Sequence, residues 1–327
     1  MSAAHEAAPD RSAGPAVRTV LGDIDPAGLG ICDAHDHLFL RSPQLPGQEL
    51  ADTGAAAAEL AAFRAAGGAA VIQWTPYGMG RFAGELPRLS RESGVTLVAA
   101  TGLHQAAHYD PEILAGKRVR EDLAGLFVAE LTEGIGGTEA GGDGPRDARP
   151  RAGMIKVAGG FHGLDRHARY TMAAAAEAHL ATGAAIGVHL ELGTGALDVL
   201  DLLCDELAVP PDRVILGHLN RSPDPVVHRM AAEAGAYLAF DGPSRANHAT
   251  DWRLPDALTA LADAGFADRI LLGGDTTTAA ARSVNGGPGM PYLLRRQRRR
   301  LELALGVGLV TRMLTENPSR AFSAEWP

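Results

Sequence analysis

Cysteine is scarce in this chain: 327 residues include two, Cys32 and Cys204. Two thiols exclude a disulfide-stapled scaffold and a thiolate metal cluster, and they suit a reducing compartment. Basic charge is also in deficit. Lys and Arg number 30 against 39 Asp and Glu, a formal net charge of -9, whereas a nucleic-acid binder presents a basic stripe. Long apolar runs are missing too. Nothing approaches the ~18 to 20 residues that span a bilayer. The opening "MSAAHEAAPDRSAGPAVR" lacks the apolar stretch of a secretory signal. The expectation is a cytoplasmic protein without nucleic-acid or membrane partners, with a short disordered tail over residues 1–16 and a single domain over 17–327.

What is present is a repeat. Eight short apolar runs recur: "LGICDAH" (29–35), "AAVIQWT" (69–75), "VTLVAATG" (95–102), "AGMIKVA" (152–158), "AAIGVHL" (184–190), "RVILGH" (213–218), "AYLAF" (236–240) and "RILLGGD" (269–275). Near-continuous hydrophobicity is what parallel strands buried on both faces require. Most gaps carry amphipathic helix patterns, such as "DALTALADAG" (256–265), where Gly265 is the stop. Eight strand–helix repeats predict an α/β fold, a (β/α)8 TIM barrel. An open doubly wound sheet would open its first helix with G-x-G-x-x-G, and no such motif stands there. The Gly- and Pro-rich segment 134–151 reads as a mobile surface loop. The stretch 276–300 reads as a long loop followed, from Tyr292, by a helix whose five arginines form a solvated face.

In such a barrel the C-terminal strand ends carry the chemistry. His35 and His37 close the first run, and residues i and i+2 of a strand face one side. Asp36 then faces the other side and reads as a packing or supporting group. Lys156 sits within the apolar fourth run, where burial lowers its pKa and makes it nucleophilic toward carbon dioxide. His189, His218 and Asp275 end the fifth, sixth and eighth runs. Imidazole and carboxylate donors suit a borderline divalent ion, zinc before calcium or magnesium, with manganese or cobalt as alternatives. Six such groups exceed the needs of one tetrahedral ion, so two are implied. His104 and His108, after the third run, are placed to line the pocket. His5, His167, His179 and His228 fall on the tail or on helices and read as solvated.

These strand ends, with "DAHDHL", "TPYGMGR" (75–81), "EGIGGT" (133–138), "AGMIKVA", "GHLNRSPD" (217–224) and "ENPSRAF", resemble the phosphotriesterase family of the amidohydrolase superfamily, in its phosphotriesterase-related, lactonase-like branch. The likeness runs from residue 19 to residue 322. It implies a homodimeric hydrolase with two divalent ions. His35, His37 and Asp275 would hold the more buried ion and His189 and His218 the more exposed one, with carboxylated Lys156 bridging them. It further implies attack by a hydroxide shared between the ions, with Asp275 handling the proton and Arg221 orienting the substrate. Trp74, Tyr77, His104, Arg221, Arg245 and Thr278 are the expected substrate contacts, and Gln73 and the loop 276–292 are expected to shape the pocket.

"DGPSR" (241–245) and "GGPGMPYL" (286–293) are similar to the subgroup that hydrolyses sugar-phosphate lactones. The positions that would hold the phosphate carry Asn247, Thr278 and Ala281 instead of charged groups. A phosphate dianion would lose its strongest partners, so a small-molecule lactone or ester without phosphate is favoured. Phosphotriester and N-acyl amide hydrolysis on the same metals are the alternatives. A non-catalytic binding barrel is disfavoured, because a decayed site would have lost at least one of the six ligands.

Overall fold

Parallel strands in sequential order wind around a central axis in the computed structural model, which describes residues 14–136, 149–242 and 249–327. A short hairpin comes first, β1 (Ala16–Thr19) and β2 (Gly22–Ile24). The barrel strands follow: β3 (Cys32–Asp36), β4 (Ala70–Gln73), β5 (Thr96–Gly102), β6 (Ala152–Ala158), β7 (Ile186–His189), β8 (Val214–Leu216), β9 (Tyr237–Asp241) and β10 (Ile270–Gly273). Each pairs in parallel with the next. The remaining seam closes where the N–H groups of Gly274 and Asp275 both donate to the His35 carbonyl, at 3.0 and 2.9 Å. This is the expected (β/α)8 barrel, with every strand inside or within one residue of its apolar run.

Two apolar layers hold it. Inside the barrel, Cys32, Ala34, Ile72, Trp74, Val98, Met154, Ile215, Ala239 and Leu271 form a filled interior. Outside, the alternate strand residues Val71, Leu97, Ile155, Ile186, Leu238 and Leu272 pack with residues of the surrounding helices. Helix Leu254–Asp263 shows the logic: Leu254, Leu258 and Leu261 are buried, and Gly265 adopts φ +90 just past its end. Four of the five arginines over 295–300 are exposed, and Arg298 pairs with Glu302 at 2.7 Å.

The hairpin was not anticipated. With β11 (Ser323–Ala324) it forms a three-stranded antiparallel sheet. It lies at the N-terminal ends of β5 and β6, where the Val20 N–H donates to the Leu97 carbonyl and Arg18 is buried on Asp23 and the Leu131 carbonyl. Ala16 already pairs with Ala324, so ordered chain begins within the expected tail of 1–16. Residues 1–13 of that tail, and 137–148 of the expected mobile loop, lie outside the described residues.

One glycine positions the chemistry. Gly102 ends β5 in register with Lys156 and has φ +114. A Cβ there would stand 1.9 Å from the Lys156 carbonyl oxygen. Both the backbone conformation and the strand contact forbid a side chain. Gly102→Ala should therefore destabilise the fold by about 3 kcal/mol or more and push β6 away from the strand ends. Denaturant unfolding and metal content measured on the one variant should fall together.

Candidate metal centre and active site

The six expected groups come from five strands, β3, β6, β7, β8 and β10, and line one cavity of 190 Å³, together with Leu40, Gln44, Leu45, Met79, His104, His108, Arg221 and Thr277. Two of the six occupy left-handed backbone: His218 has φ 65 and Asp275 φ 52. Non-glycine residues adopt that conformation at a cost and concentrate where a side chain must be aimed. On β3 the register against β4 shifts between Asp33 and Asp36. His35 and His37 still face one another, with ring centroids 5.6 Å apart.

Every one of the four imidazoles has one nitrogen near an oxygen behind it and one toward the cavity. His37 Nδ1 is 2.7 Å from Thr75 Oγ1. His189 Nε2 is 3.1 Å from Glu191 Oε2, which also accepts from Gln105. His35 Nδ1 and His218 Nδ1 approach the two carboxylate oxygens of Asp241, at 3.1 and 2.9 Å. The other nitrogens converge. His35 Nε2 and His37 Nε2 lie 3.8 and 3.5 Å from Asp275 Oδ1, and His189 Nδ1 and His218 Nε2 are 2.8 Å apart. Ligand atoms of His35, His37 and Asp275 lie within 4.8 Å of one another.

The electrostatics fit cations. Burial lowers the His37 and His189 imidazoles to about 4 and places His218 well below its ordinary range. All three are therefore neutral at pH 7, the form that binds metal. Burial likewise lowers the Lys156 ammonium to about 7. Burial alone would raise the Asp275 carboxyl, but His218 and the Arg221 guanidinium outweigh it and hold the group well below the usual range. Arg221 donates directly to Asp275 Oδ2. A buried anion, neutral imidazoles and an amine near neutrality make a donor set for divalent ions.

Several expected contacts lie elsewhere. Trp74 is fully buried below the cavity, stacked on the His35 ring at 3.8 Å, with its indole N–H on the Ala34 carbonyl. It fills the barrel interior, where glycine at 187 leaves room for it. Gln73 is taken up by backbone groups of Leu38 and Phe39. Tyr77 lines a separate cleft with Arg118, Leu126 and Glu133. Thr277 lines the cavity in place of Thr278, whose carbonyl accepts the Ala281 N–H at the start of a short helix. Arg245 and Asn247 lie outside the described residues. His104, His108 and Arg221 do line the cavity.

Two histidines read as solvated are buried. His179 bonds the Ala184 carbonyl, and His228 the carbonyls of Leu219 and Ser222. His167 is partly buried and reaches the His104 carbonyl. Sequence reasoning missed Asp241 and Glu191. Both carried a signal: Asp241 directly follows an apolar strand, as Asp275 nearly does, and Glu191 stands two residues past His189. Asp36 supports, as expected, by accepting the N–H groups of His37 and Thr276.

The shifted groups set an acid limit. Seven histidines (His37, His104, His108, His179, His189, His218 and His228) have lowered pKa values in the fold, in each case chiefly from burial. Between about pH 6.5 and 4 the unfolded chain takes up protons that the folded chain refuses, so stability falls as pH falls. Asp33 and Asp36, raised mainly by burial, act in the opposite sense. The lowered carboxyls of Glu191, Asp241 and Asp275 act in the same sense as the histidines, and the expected balance is a net loss. Metal-stripped protein should melt progressively lower from pH 6.5 to 4, and bound divalent ions should move that loss to lower pH. Melting curves across this range check both statements.

A family model described as the phosphotriesterase family matches residues 15–322. The phospho-furanose lactonase of Mycoplasmopsis synoviae is 31% identical over 265 residues, 78% of this chain and 70% of that protein. The phosphotriesterase homology protein of Escherichia coli is 34% identical over 256 residues, 77% and 82% of the two chains. The crystal structure of a lactonase from Listeria monocytogenes superposes with a TM-score of 0.82 at 26% identity, covering 94% of this chain and 98% of that one.

Proposed function

Since the chain belongs to the phosphotriesterase family, a group that includes lactonases, it is a metal-dependent hydrolase of ester bonds, and we propose that it opens lactone rings with the help of two divalent ions. The observation that carries this reading is the convergence of four imidazoles, each with an oxygen close behind it, Lys156 and Asp275 on one cavity. His35, His37 and Asp275 would hold one ion, and His189 and His218 the other. Lys156 would bridge them as a carbamate, formed when its neutral amine adds to carbon dioxide and loses a proton. When bound, such ions supply Lewis acidity and make hydroxide available near neutral pH.

The chain's own residues do the rest. Asp275 is kept ionised beside the permanent charge of Arg221 and is placed to accept a proton at Oδ2 and deliver it to the leaving alkoxide. Arg221 fixes that carboxylate and reaches the cavity. Leu40, Leu45 and Met79 supply an apolar wall. At 190 Å³ the cavity is smaller than the ~300 Å³ at which drug-sized sites begin, which favours a small ring.

The uncharged residues Asn247, Thr278 and Ala281, at the positions where charged groups would hold a phosphate, favour a lactone without phosphate. Among the described residues the one arginine lining the cavity is Arg221, and it is engaged with Asp275. The test is a substrate panel on zinc- or manganese-loaded protein: lactones with and without a phosphate group, phosphotriesters and N-acyl amides. The highest kcat/KM should fall on an unphosphorylated lactone. Preference for a phosphotriester or an amide by tenfold or more would overturn the assignment, and preference for a phosphorylated lactone would overturn its substrate half.

A further inference from the structure

Asp241 ends β9, a strand to which the sequence reading assigned no function. Its side chain is fully buried, and its two oxygens divide between two rings. Oδ1 is 3.1 Å from His35 Nδ1, and Oδ2 is 2.9 Å from His218 Nδ1 while also accepting the His218 backbone N–H at 2.9 Å. The approach to each ring is bent out of line, and among the described residues neither Nδ1 has a hydrogen-bond partner elsewhere. Asp275 Oδ2, at 3.6 Å from His218 Nδ1, is too distant to serve. Buried imidazole N–H groups need an acceptor, so Asp241 is the group available to both. Its own backbone is fixed, since the Asp241 N–H donates to Asn220 Oδ1. Gly273 keeps the space open, because a Cβ there would come within 2.9 Å of Asp241 Oδ1.

We infer that Asp241 is a shared positioning residue: one carboxylate holds His35 and His218, assigned to different ions, in the Nδ1–H tautomer and so aims both Nε2 atoms at the metals. The inference rests on the dinuclear reading above. A carboxylate behind a ligating imidazole fixes ring orientation and tautomer and raises ligand basicity. One carboxylate serving a ligand of each ion would couple the two sites, so its loss should be felt at both. Alanine is the discriminating replacement, because it removes the acceptor from both rings at once, whereas the oxygen of an Asn could still serve one of them.

The experiment is chelator-driven release of zinc from the loaded full-length protein, with metal stoichiometry measured alongside. Asp241→Ala should release both ions about 10- to 100-fold faster than wild type, whereas Glu191→Gln, at the residue that backs His189 alone, should speed one of the two. Release of both ions at wild-type rates, or acceleration of a single ion by Asp241→Ala, would overturn the inference. If that variant does not fold, the wild type decides: ring nitrogen-15 spectra, metal-free and zinc-loaded, should show His35 and His218 as Nδ1–H. An Nε2–H ring in either state, or a metal on Nδ1 with Asp241 as a ligand, would overturn it. A wild type that takes up fewer than two ions would instead remove the dinuclear reading beneath it.

Discussion

A Lys156→Met enzyme should lose its ester hydrolysis by about 10³-fold or more and at least one bound metal ion, and its metal-free form should nevertheless unfold less readily than metal-free wild type. The two effects have one cause. Lys156 lies within β6, an apolar strand, and burial lowers its ammonium from 10.5 to about 7. Between those values the unfolded chain binds a proton that the folded chain does not, so wild-type stability rises with pH through that window. At pH 7 nearly the whole penalty is in force, on the order of 4 kcal/mol at ~1.4 kcal/mol per pKa unit. Methionine removes the charge and approximates the shape of the stem, so it should recover much of that penalty. The melting temperatures of the two metal-stripped proteins should then differ most at pH 7 and converge toward pH 10. A variant no more stable than wild type at pH 7 would show that the amine is well solvated or well paired there. A variant with full metal content and activity would remove Lys156 from the site altogether.

How far the sequence discloses this arrangement follows from which forces are local. Continuous apolar runs broken by helical periods are a property of neighbouring residues, and they gave all eight barrel strands. Strand-end position is local too, so His35, His37, His189, His218 and Asp275 could be named from their place at the close of an apolar run, and Lys156 as the one charge inside such a run. Residues that act through a neighbour were harder to find. Trp74 sits at a strand end like most of the candidate ligands, yet the space left by glycine at 187 lets the indole turn into the barrel interior and stack on His35. Nothing within the run "AAVIQWT" foretells that space. Tyr77 and Thr278 fail for a similar reason, since the turn that follows a strand decides which side chain meets the cavity.

Supporting groups were the other blind spot. Asp241 and Glu191 face histidines across or along the barrel, and their importance exists only once the rings are in place. The hairpin of β1 and β2 was missed because strands of four and three residues carry too little pattern to distinguish from a loop. Buried His179 and His228 show the converse. An imidazole on a helix can be drawn inward by one or two carbonyls, and helical position alone does not say which face it occupies.

The sharpest test of the chemistry is Asp275→Asn, for which kcat should fall by about 10³- to 10⁴-fold at saturating metal, with a much smaller change in KM. The backbone accommodates the replacement. Asp275 has φ 52, a conformation that Asn tolerates better than other side chains with a Cβ. The amide also retains an oxygen that can face His35 and His37 from the place of Oδ1. It cannot accept a proton, and its NH2 meets Arg221, an unfavourable donor–donor encounter where wild type has an ion pair. Arg221→Met separates the two losses. It leaves the carboxylate in place but withdraws the permanent positive charge that favours its ionised form. Its kcat should therefore fall less than that of Asp275→Asn, and the acid limb of its pH–rate profile should move to higher pH, because the carboxyl now takes up a proton more easily. An Asp275→Asn enzyme that kept more than about a tenth of wild-type kcat would show that proton transfer is carried by another group, and the role assigned to this strand end would pass to metal binding alone.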